Sequence, residues 1–509
     1  METVYVLVSV KHLILQEERK YFRDCFLQSL NLLIMYYKLN NYVFVRKINN
    51  HLKIWDKLND RNCIGDISAY LFLKHLNYEP KYINDIVLEI SKEFVGNVDF
   101  EQIKKDAINL FEQLNKSEFI AIGNSPHECI KNSIKYSNSS YQRTKTEICD
   151  ISKEKLDIFG KKYTENPMLQ GVIIEITQIC NERCVHCYIP HETKTTKMED
   201  EDFFNLIDEL KKLESVVDVK ISGGECMTHP SFKNFISYVK KSGFHLTIMT
   251  NLTLLDNEIV QILKEGSMSK VQVSLFSLKS EIHDAITKRP GSLNTVLNNI
   301  NILQKENIQV CIATQIMEIN KDEIEDIYLF CKNNNFDINL DWTITAQQDG
   351  NTQNLVQRVN DISYYKKICL IRSKYENNFT SNYLESLKLP LKDKNSSLCS
   401  AGMNMLHISS NLDIHPCPGW MLKVGNLKNE TIENIWNNSE KLKYVRNLTL
   451  QNFTKCSECN NRNTCTICLA QAFCENNDKF EVPEYICKMF KTINKSLFSM
   501  SLKSNSDSN

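Results

Sequence analysis

The middle of this chain predicts an α/β fold built on a partial parallel barrel, and three observations carry that expectation. Between residues 171 and 345, short apolar runs rich in β-branched residues alternate with amphipathic helical runs six times. The runs are apolar nearly throughout rather than alternating with polar residues, as parallel strands covered on both faces must be. Clustered cysteines and glycines fall just beyond the C-terminal ends of the first two runs, where sheets of this kind place their chemistry.

The strand candidates are Val172–Thr177, Val217–Ser222, His245–Thr250, Lys270–Leu275, Ile308–Thr314 and Asp337–Thr343. Between the first two, Phe203, Leu206, Ile207 and Leu210 share one helical face, and Thr196-x-x-Glu199 offers a capping box before them. Leu293, Val296, Leu297, Ile300 and Leu303 repeat the stripe later. Six βα units joined by right-handed crossovers curl into a partial (β/α)6 barrel of the TIM type.

The flanks differ from this core. Residues 395 to 490 have short strands, few long apolar runs and eight cysteines, the pattern of a small core held together by metal. Near the N-terminus, a strand at Val43–Val45 precedes two helical stripes, Ile83–Phe94 and then Ile103, Ala107, Leu110, Phe111 and Leu114. A final strand at Phe119–Ile122 completes a winged-helix-like α+β domain. The expected division is therefore 1–125, a polar linker at 126–167, the barrel at 168–385, the cysteine-rich domain at 386–495, and a disordered tail at 496–509.

Bulk composition narrows the function classes. A chain of 509 residues exceeds one compact core, and 42% hydrophobic with 24% charged residues is ordinary for a globular protein. A net charge of −1 argues against nucleic acid as a partner. The N-terminus lacks the basic region and cleavage site of a signal peptide, and Phe26–Tyr37 is too short and too interrupted to span a bilayer. A cytoplasmic protein without a membrane partner is expected, where thiols stay reduced. Its 19 cysteines then serve either metal ligation or core packing. Cys25, Cys63, Cys129, Cys149, Cys311, Cys331 and Cys369 stand alone and read as packing residues.

The clustered cysteines carry the chemistry. Cys180, Cys184 and Cys187 follow directly on the first strand, and three thiolates on one loop can wrap an iron–sulfur cluster while leaving one iron open. Ser222-Gly223-Gly224-Glu225 ends the second strand, where glycines admit close backbone approach and a carboxylate can take an ammonium group. The C-x3-C-x2-C spacing and the Gly-Gly-Glu motif resemble the radical S-adenosylmethionine (SAM) superfamily. That resemblance implies a 4Fe–4S cluster on the three cysteines, with SAM chelated at the open iron and a 5′-deoxyadenosyl radical as its product. It places Asn251, after Thr250, and Ser274 at SAM, with His283 and Arg289 as further residues facing the pocket. Cys226 stands where the family has Pro and reads as a tolerated variation.

The run Cys456-x2-Cys459-x5-Cys465-x2-Cys468, with Cys487 downstream and Cys399 and Cys417 upstream, is by itself as consistent with zinc as with iron. Attached to a radical SAM core, it resembles the SPASM extension, which carries two auxiliary iron–sulfur clusters. The resemblance implies one cluster on Cys456, Cys459, Cys465 and Cys487. It implies another on Cys399, Cys417 and Cys468, one ligand short, with Asp393, Cys474 or a substrate thiolate to consider. Leu412 replaces a usual Gly, so the turn there is expected to be built differently. The N-terminal order of strand, two helices and strand resembles a RiPP recognition element, which adds an extended leader peptide to a sheet edge.

Together these resemblances imply a maturase of ribosomally made precursor peptides, with a leader-bearing precursor and a low-potential donor such as flavodoxin or ferredoxin as partners. Thioether crosslinking is the leading expectation. Carbon–carbon or carbon–oxygen crosslinking, sulfatase-type oxidation, small-molecule radical chemistry, and a non-catalytic iron–sulfur or zinc scaffold are the alternatives.

Overall fold

The computed structural model describes residues 2–4, 34–48, 51–59, 61–94, 99–134, 167–376, 379–395, 398–465, 467–476 and 480–506. Cys25, Cys149 and most of the expected linker lie outside these residues.

The N-terminal part holds two small sheets. Strands β1 (Glu2–Val4), β3 (Val43–Ile48), β4 (His51–Asp56) and β5 (Arg61–Asp66) form one, in the order β1-β5-β4-β3. Strands β2 (Tyr36–Leu39), β6 (Lys81–Tyr82) and β7 (Ile120–Gly123) form the other, in the order β6-β2-β7. The helices Ile83–Ser91 and Phe100–Lys116 bury Ile83, Ile86, Ile90, Leu110, Phe111 and Leu114 against both sheets. Asp99 caps the second helix by accepting from the backbone N–H groups of Glu101 and Gln102. This α+β unit is therefore richer in strands than the expected single strand before two helices.

Six parallel strands follow: β8 (Gly171–Thr177), β9 (Asp218–Gly223), β10 (His245–Thr250), β11 (Ser269–Ser274), β12 (Gln309–Gln315) and β13 (Asp337–Asp341). They lie in sequence order, each hydrogen-bonded to the next, as right-handed βα units require. The sheet does not stop at β8. Strand β14 (Met405–Ile408) pairs parallel with β8, and β15 (Asp413–His415) and β16 (Gly425–Asn426) add antiparallel, giving nine strands in one sheet. The cysteine-rich region thus continues the barrel sheet rather than standing apart from it.

Leu412, in the turn between β14 and β15, sits at φ 65°. The turn keeps the left-handed conformation that favours glycine, and burial of the leucine side chain in the barrel core offsets about 1–2 kcal/mol of backbone strain. The expected capping box does not form. The helix begins at Asp200, and the Thr196 hydroxyl instead meets that of Ser410 at 2.7 Å, tying the first βα loop to the β14–β15 turn. The expected disordered tail is also corrected. Helix Glu484–Ser506 takes in residues 496–506 of it, and Met489, Ile493 and Leu497 pack against Tyr328, Tyr365 and Ile368 of the barrel's last helices. The apolar stripe of that helix has a face to cover, which holds the segment in place.

The N-terminal unit docks on the N-terminal ends of the barrel strands. Arg46 donates to the carbonyls of Val216 (3.1 Å) and Gly243 (2.7 Å), and Lys57 pairs with Asp218 at 2.9 Å. Phe44 meets His245 edge-on at 5.3 Å. Burial alone would raise the Asp218 carboxyl, but Lys57 and His245 outweigh it and hold it well below the usual carboxylate range.

Glu175, on β8, is enclosed in the barrel, where burial raises its carboxyl from 4.5 to about 7 against the Gln178 amide that donates to it at 3.1 Å. Between these values the folded chain keeps a proton that the unfolded chain has lost, so stability falls as pH rises through that window. The loss is complete above about pH 7 and amounts to roughly 3 kcal/mol. Glu175→Gln is therefore expected to raise the thermal midpoint at about pH 8 and leave it unchanged at about pH 4. Equal shifts at both pH values, read by circular dichroism, would refute this account.

Candidate active site

The site is built where β8 and β9 end. Gly224 N–H donates to the Thr177 carbonyl at 2.8 Å, and Glu225 N–H to that of Ile179 at 2.9 Å. A Cβ on Gly223 would stand 2.4 Å from the Thr177 oxygen, and one on Gly224 would stand 2.3 Å from that of Gln178. The two glycines are thus required by the approach of one strand end to the loop leaving the other. That loop carries the cysteine triplet. It is held further by Arg183 and Val185, whose N–H groups donate to the carbonyls of Thr287 and Ile286.

The thiols of Cys180, Cys184 and Cys187 line one cavity of about 390 Å³. Its wall includes Ser222, Gly223, Gly224, Thr250, Asn251 and Ser274, so the positions expected to contact SAM from three further strands converge on the triplet. Glu225 is an exception. Its buried carboxylate accepts from the N–H groups of Met227 (3.0 Å) and Asn251 (2.7 Å) and from the Thr250 hydroxyl (2.8 Å), and it is not among the cavity-lining residues. Three donors from the chain itself hold this carboxylate in place, and its two oxygens keep further acceptor capacity. His283 and Arg289 also lie outside the wall. His283 accepts from Phe276 N–H at 3.3 Å, and Arg289 donates to Thr253 at 3.2 Å. Cys226 is fully buried in the barrel core.

The wall holds several residues besides those expected at SAM. Glu182, inside the triplet, is buried and accepts from the Cys184 thiol at 3.6 Å, while its other oxygen has no partner among the described residues. Burial raises its carboxyl to about 7. His186 is enclosed, with an orphaned Nδ1 and its imidazole pushed down to about 4 by burial. Lys194 donates to Cys187 Sγ at 3.3 Å. Asp341 lines the cavity from the end of β13, where the residue stays partly exposed while its carboxyl is desolvated and thereby raised. Its place at a strand end is the one cue that could have found it.

The wall also includes Pro418 and Gly419, next to Cys417. Two glutamines strap the sides together. Gln348 donates to the carbonyls of Tyr188 (2.8 Å) and Pro418 (3.2 Å), and Gln347 to that of Cys187 (3.4 Å). Arg358 anchors the same segment through a buried two-pronged pair with Glu475, at 2.6 and 2.9 Å, beneath the Tyr485 ring. Removing one partner of such a pair typically costs about 3–5 kcal/mol.

The remaining cysteines gather in two sets. Cys417 lies within electrostatic reach of Cys399 and Cys468, and Cys465 within reach of Cys456, Cys459 and Cys487. Cys474 belongs to neither set; its thiol donates to the Gly419 carbonyl at 3.4 Å. Asp393 is exposed and accepts from Asn395 N–H, whereas the carboxylate within reach of Cys468 is Asp341. Cys63, Cys129, Cys311, Cys331 and Cys369 are buried as packing residues.

Burial pushes the thiols of Cys180, Cys456 and Cys468 up to about 11 and those of Cys417 and Cys465 up to about 12. The protein alone thus disfavours its own thiolates, and a bound cation reverses that balance. Three thiols at one end of a cavity, with orphaned polar atoms at Glu182 and His186, fit a 4Fe–4S cluster with SAM beside it. Among the described residues, no three His, Cys, Asp or Glu side chains converge closely enough to hold a single metal ion.

Comparison with known proteins agrees with the geometry. The Radical SAM superfamily matches residues 174–331, and the SPASM iron–sulfur cluster-binding domain matches residues 399–465. The subtilosin biosynthesis protein AlbA of Bacillus subtilis is 26% identical over 280 residues, which span 54% of this chain and 60% of AlbA. An AdoMet-dependent heme synthase of Methanosarcina barkeri is 24% identical over 61% of this chain and 94% of its own length. The structure of Streptococcus suis SuiB bound to precursor peptide SuiA shares the fold, with a TM-score of 0.57 at 15% identity over 89% of this chain and 99% of SuiB.

Gly224→Ala is expected to abolish iron binding by the triplet, because the displaced Gln178 carbonyl moves the cysteine loop. Iron and sulfide analysis of reconstituted protein checks this, and a full iron complement would refute it. The chain carries a radical SAM domain followed by a SPASM iron–sulfur cluster-binding domain, and the cofactors consistent with these are a 4Fe–4S cluster, SAM and auxiliary iron–sulfur clusters.

Proposed function

We propose that this enzyme modifies a ribosomally made precursor peptide, forming a thioether between a cysteine sulfur and a carbon of the same peptide. The observation that carries this reading is the shared cavity, lined both by the triplet cysteines and by Pro418 and Gly419, which follow Cys417. AlbA is named for subtilosin biosynthesis, and SuiB was crystallised with a precursor peptide, which supports a peptide substrate.

In this reading Cys180, Cys184 and Cys187 hold the SAM cluster. The backbone of Ser222–Gly224, with Asn251 and Ser274, orients SAM along the strand ends. Cys456, Cys459, Cys465 and Cys487 hold one auxiliary cluster, and Cys399, Cys417 and Cys468 hold the other. The bound cofactors supply hydrogen-atom abstraction from an unactivated carbon and take up the electron left over. Asp341 accepts the proton of the substrate thiol at its carboxylate, which faces the cavity beside Cys468. The Gln347–Gln348 strap keeps the two sides in register and excludes water. The N-terminal α+β unit takes the leader as an added strand.

The reading is tested with anaerobically reconstituted protein and a coexpressed cysteine-bearing precursor. Wild type is expected to hold about eight to twelve irons, and a Cys180/Cys184/Cys187→Ala variant about four fewer. With dithionite, wild type is expected to release 5′-deoxyadenosine and to return a peptide two hydrogen atoms lighter per bridge. Zinc in place of iron would overturn the auxiliary assignment. The heme synthase match favours a second reading, a small-molecule substrate for the same cavity. SAM cleavage that no peptide alters or consumes, in a chain that binds no leader, would select that reading.

A further inference from the structure

Among the described residues lining the cavity, Lys194 is the single Lys or Arg, and it is buried there. It sits just after a short 3-10 turn, His191–Thr193, in the loop between the triplet and the next helix. Its ammonium donates to Cys187 Sγ at 3.3 Å, and among the described residues it forms no ion pair with a carboxylate. A buried ammonium is costly unless an anion compensates it. The anion on offer is the triplet itself, through the thiolate of Cys187.

We propose that Lys194 is a positioning residue for the triplet's electronics: its charged hydrogen bond to Cys187 raises the reduction potential of the cluster held there. This rests on the assignment of the triplet to the SAM cluster. Reduction adds one electron, so a cation fixed at a ligand sulfur favours the reduced state over the oxidised one. The electron comes from a one-electron low-potential donor, and no bond in the protein is made or broken. Fixed charge at this ligand therefore brings the cluster within reach of donors that would otherwise be too weak.

The test is a mediated dithionite titration followed by electron paramagnetic resonance. It uses full-length wild type, Lys194→Met and Lys194→Arg, each with its iron content and its affinity for SAM measured in parallel. The midpoint of the triplet's signal is expected to move to more negative potential in Lys194→Met and to stay near wild type in Lys194→Arg. An unchanged midpoint in Lys194→Met, at full iron content, overturns the proposal. So does a variant that loses SAM affinity while its SAM-free midpoint is unchanged, which would make Lys194 a ligand for SAM instead. If Lys194→Met fails to load iron, Lys194→Gln supplies the neutral comparison under the same criteria. Absence of a triplet signal from wild type itself would sink the cluster assignment, and that result is distinct from every outcome above.

Discussion

The approach of Gly223 and Gly224 to the carbonyls of Thr177 and Gln178 is the contact on which the site depends. It closes the gap between the ends of β8 and β9 to a distance that no side chain could share. From that contact the cysteine loop departs in one direction. In the other, Glu225 turns inward to bind the backbone of Met227 and Asn251, which fixes the end of β10. Three strand ends are thereby set by two glycines and one carboxylate. Wall residues on later strands, such as Ser274, then reach the same cavity by ordinary sheet register.

Much of this was legible in the sequence because the relevant signals are local. Each of the six barrel strands lies close to its apolar run, and the triplet and the glycine pair stand where strand-end chemistry is expected. What could not be read depends on partners distant in the chain. The pairing of β14 with β8 joins segments more than two hundred residues apart, and nothing in Met405–Ile408 announces it. β4, His-Leu-Lys-Ile-Trp-Asp, mixes charge with apolar residues because one face meets the domain core while the strand pairs on both edges. The bonds of Glu225 were hidden for a related reason: a carboxylate at a strand end is visible in sequence, but the N–H groups aimed at it are not.

The extension of the barrel sheet by β14–β16 changes what the C-terminal region is. A metal-held domain tethered by a linker could shift relative to the barrel. Here β14 is bonded to β8 over four residues, and the Arg358–Glu475 pair and helix Glu484–Ser506 close the other flank. The turn of Cys417 is therefore held to β8, the strand that brings Ile173 to the cavity. Both sides of the cavity belong to one packed body, so their separation is a property of the fold rather than of the ligands.

The docking of the N-terminal unit on Val216, Gly243 and His245 puts it at the opposite end of the barrel from the cavity. Strands of five to seven residues span about 20 Å, and the loops at each end lengthen any path along the outside to roughly 30 Å. An extended chain covers that distance with about nine residues. If the N-terminal unit takes the leader, as proposed, the peptide would meet the cavity through a minimum tether, and the fold would act as a ruler. Residues nearer the grip than that length are out of reach, whatever their chemistry.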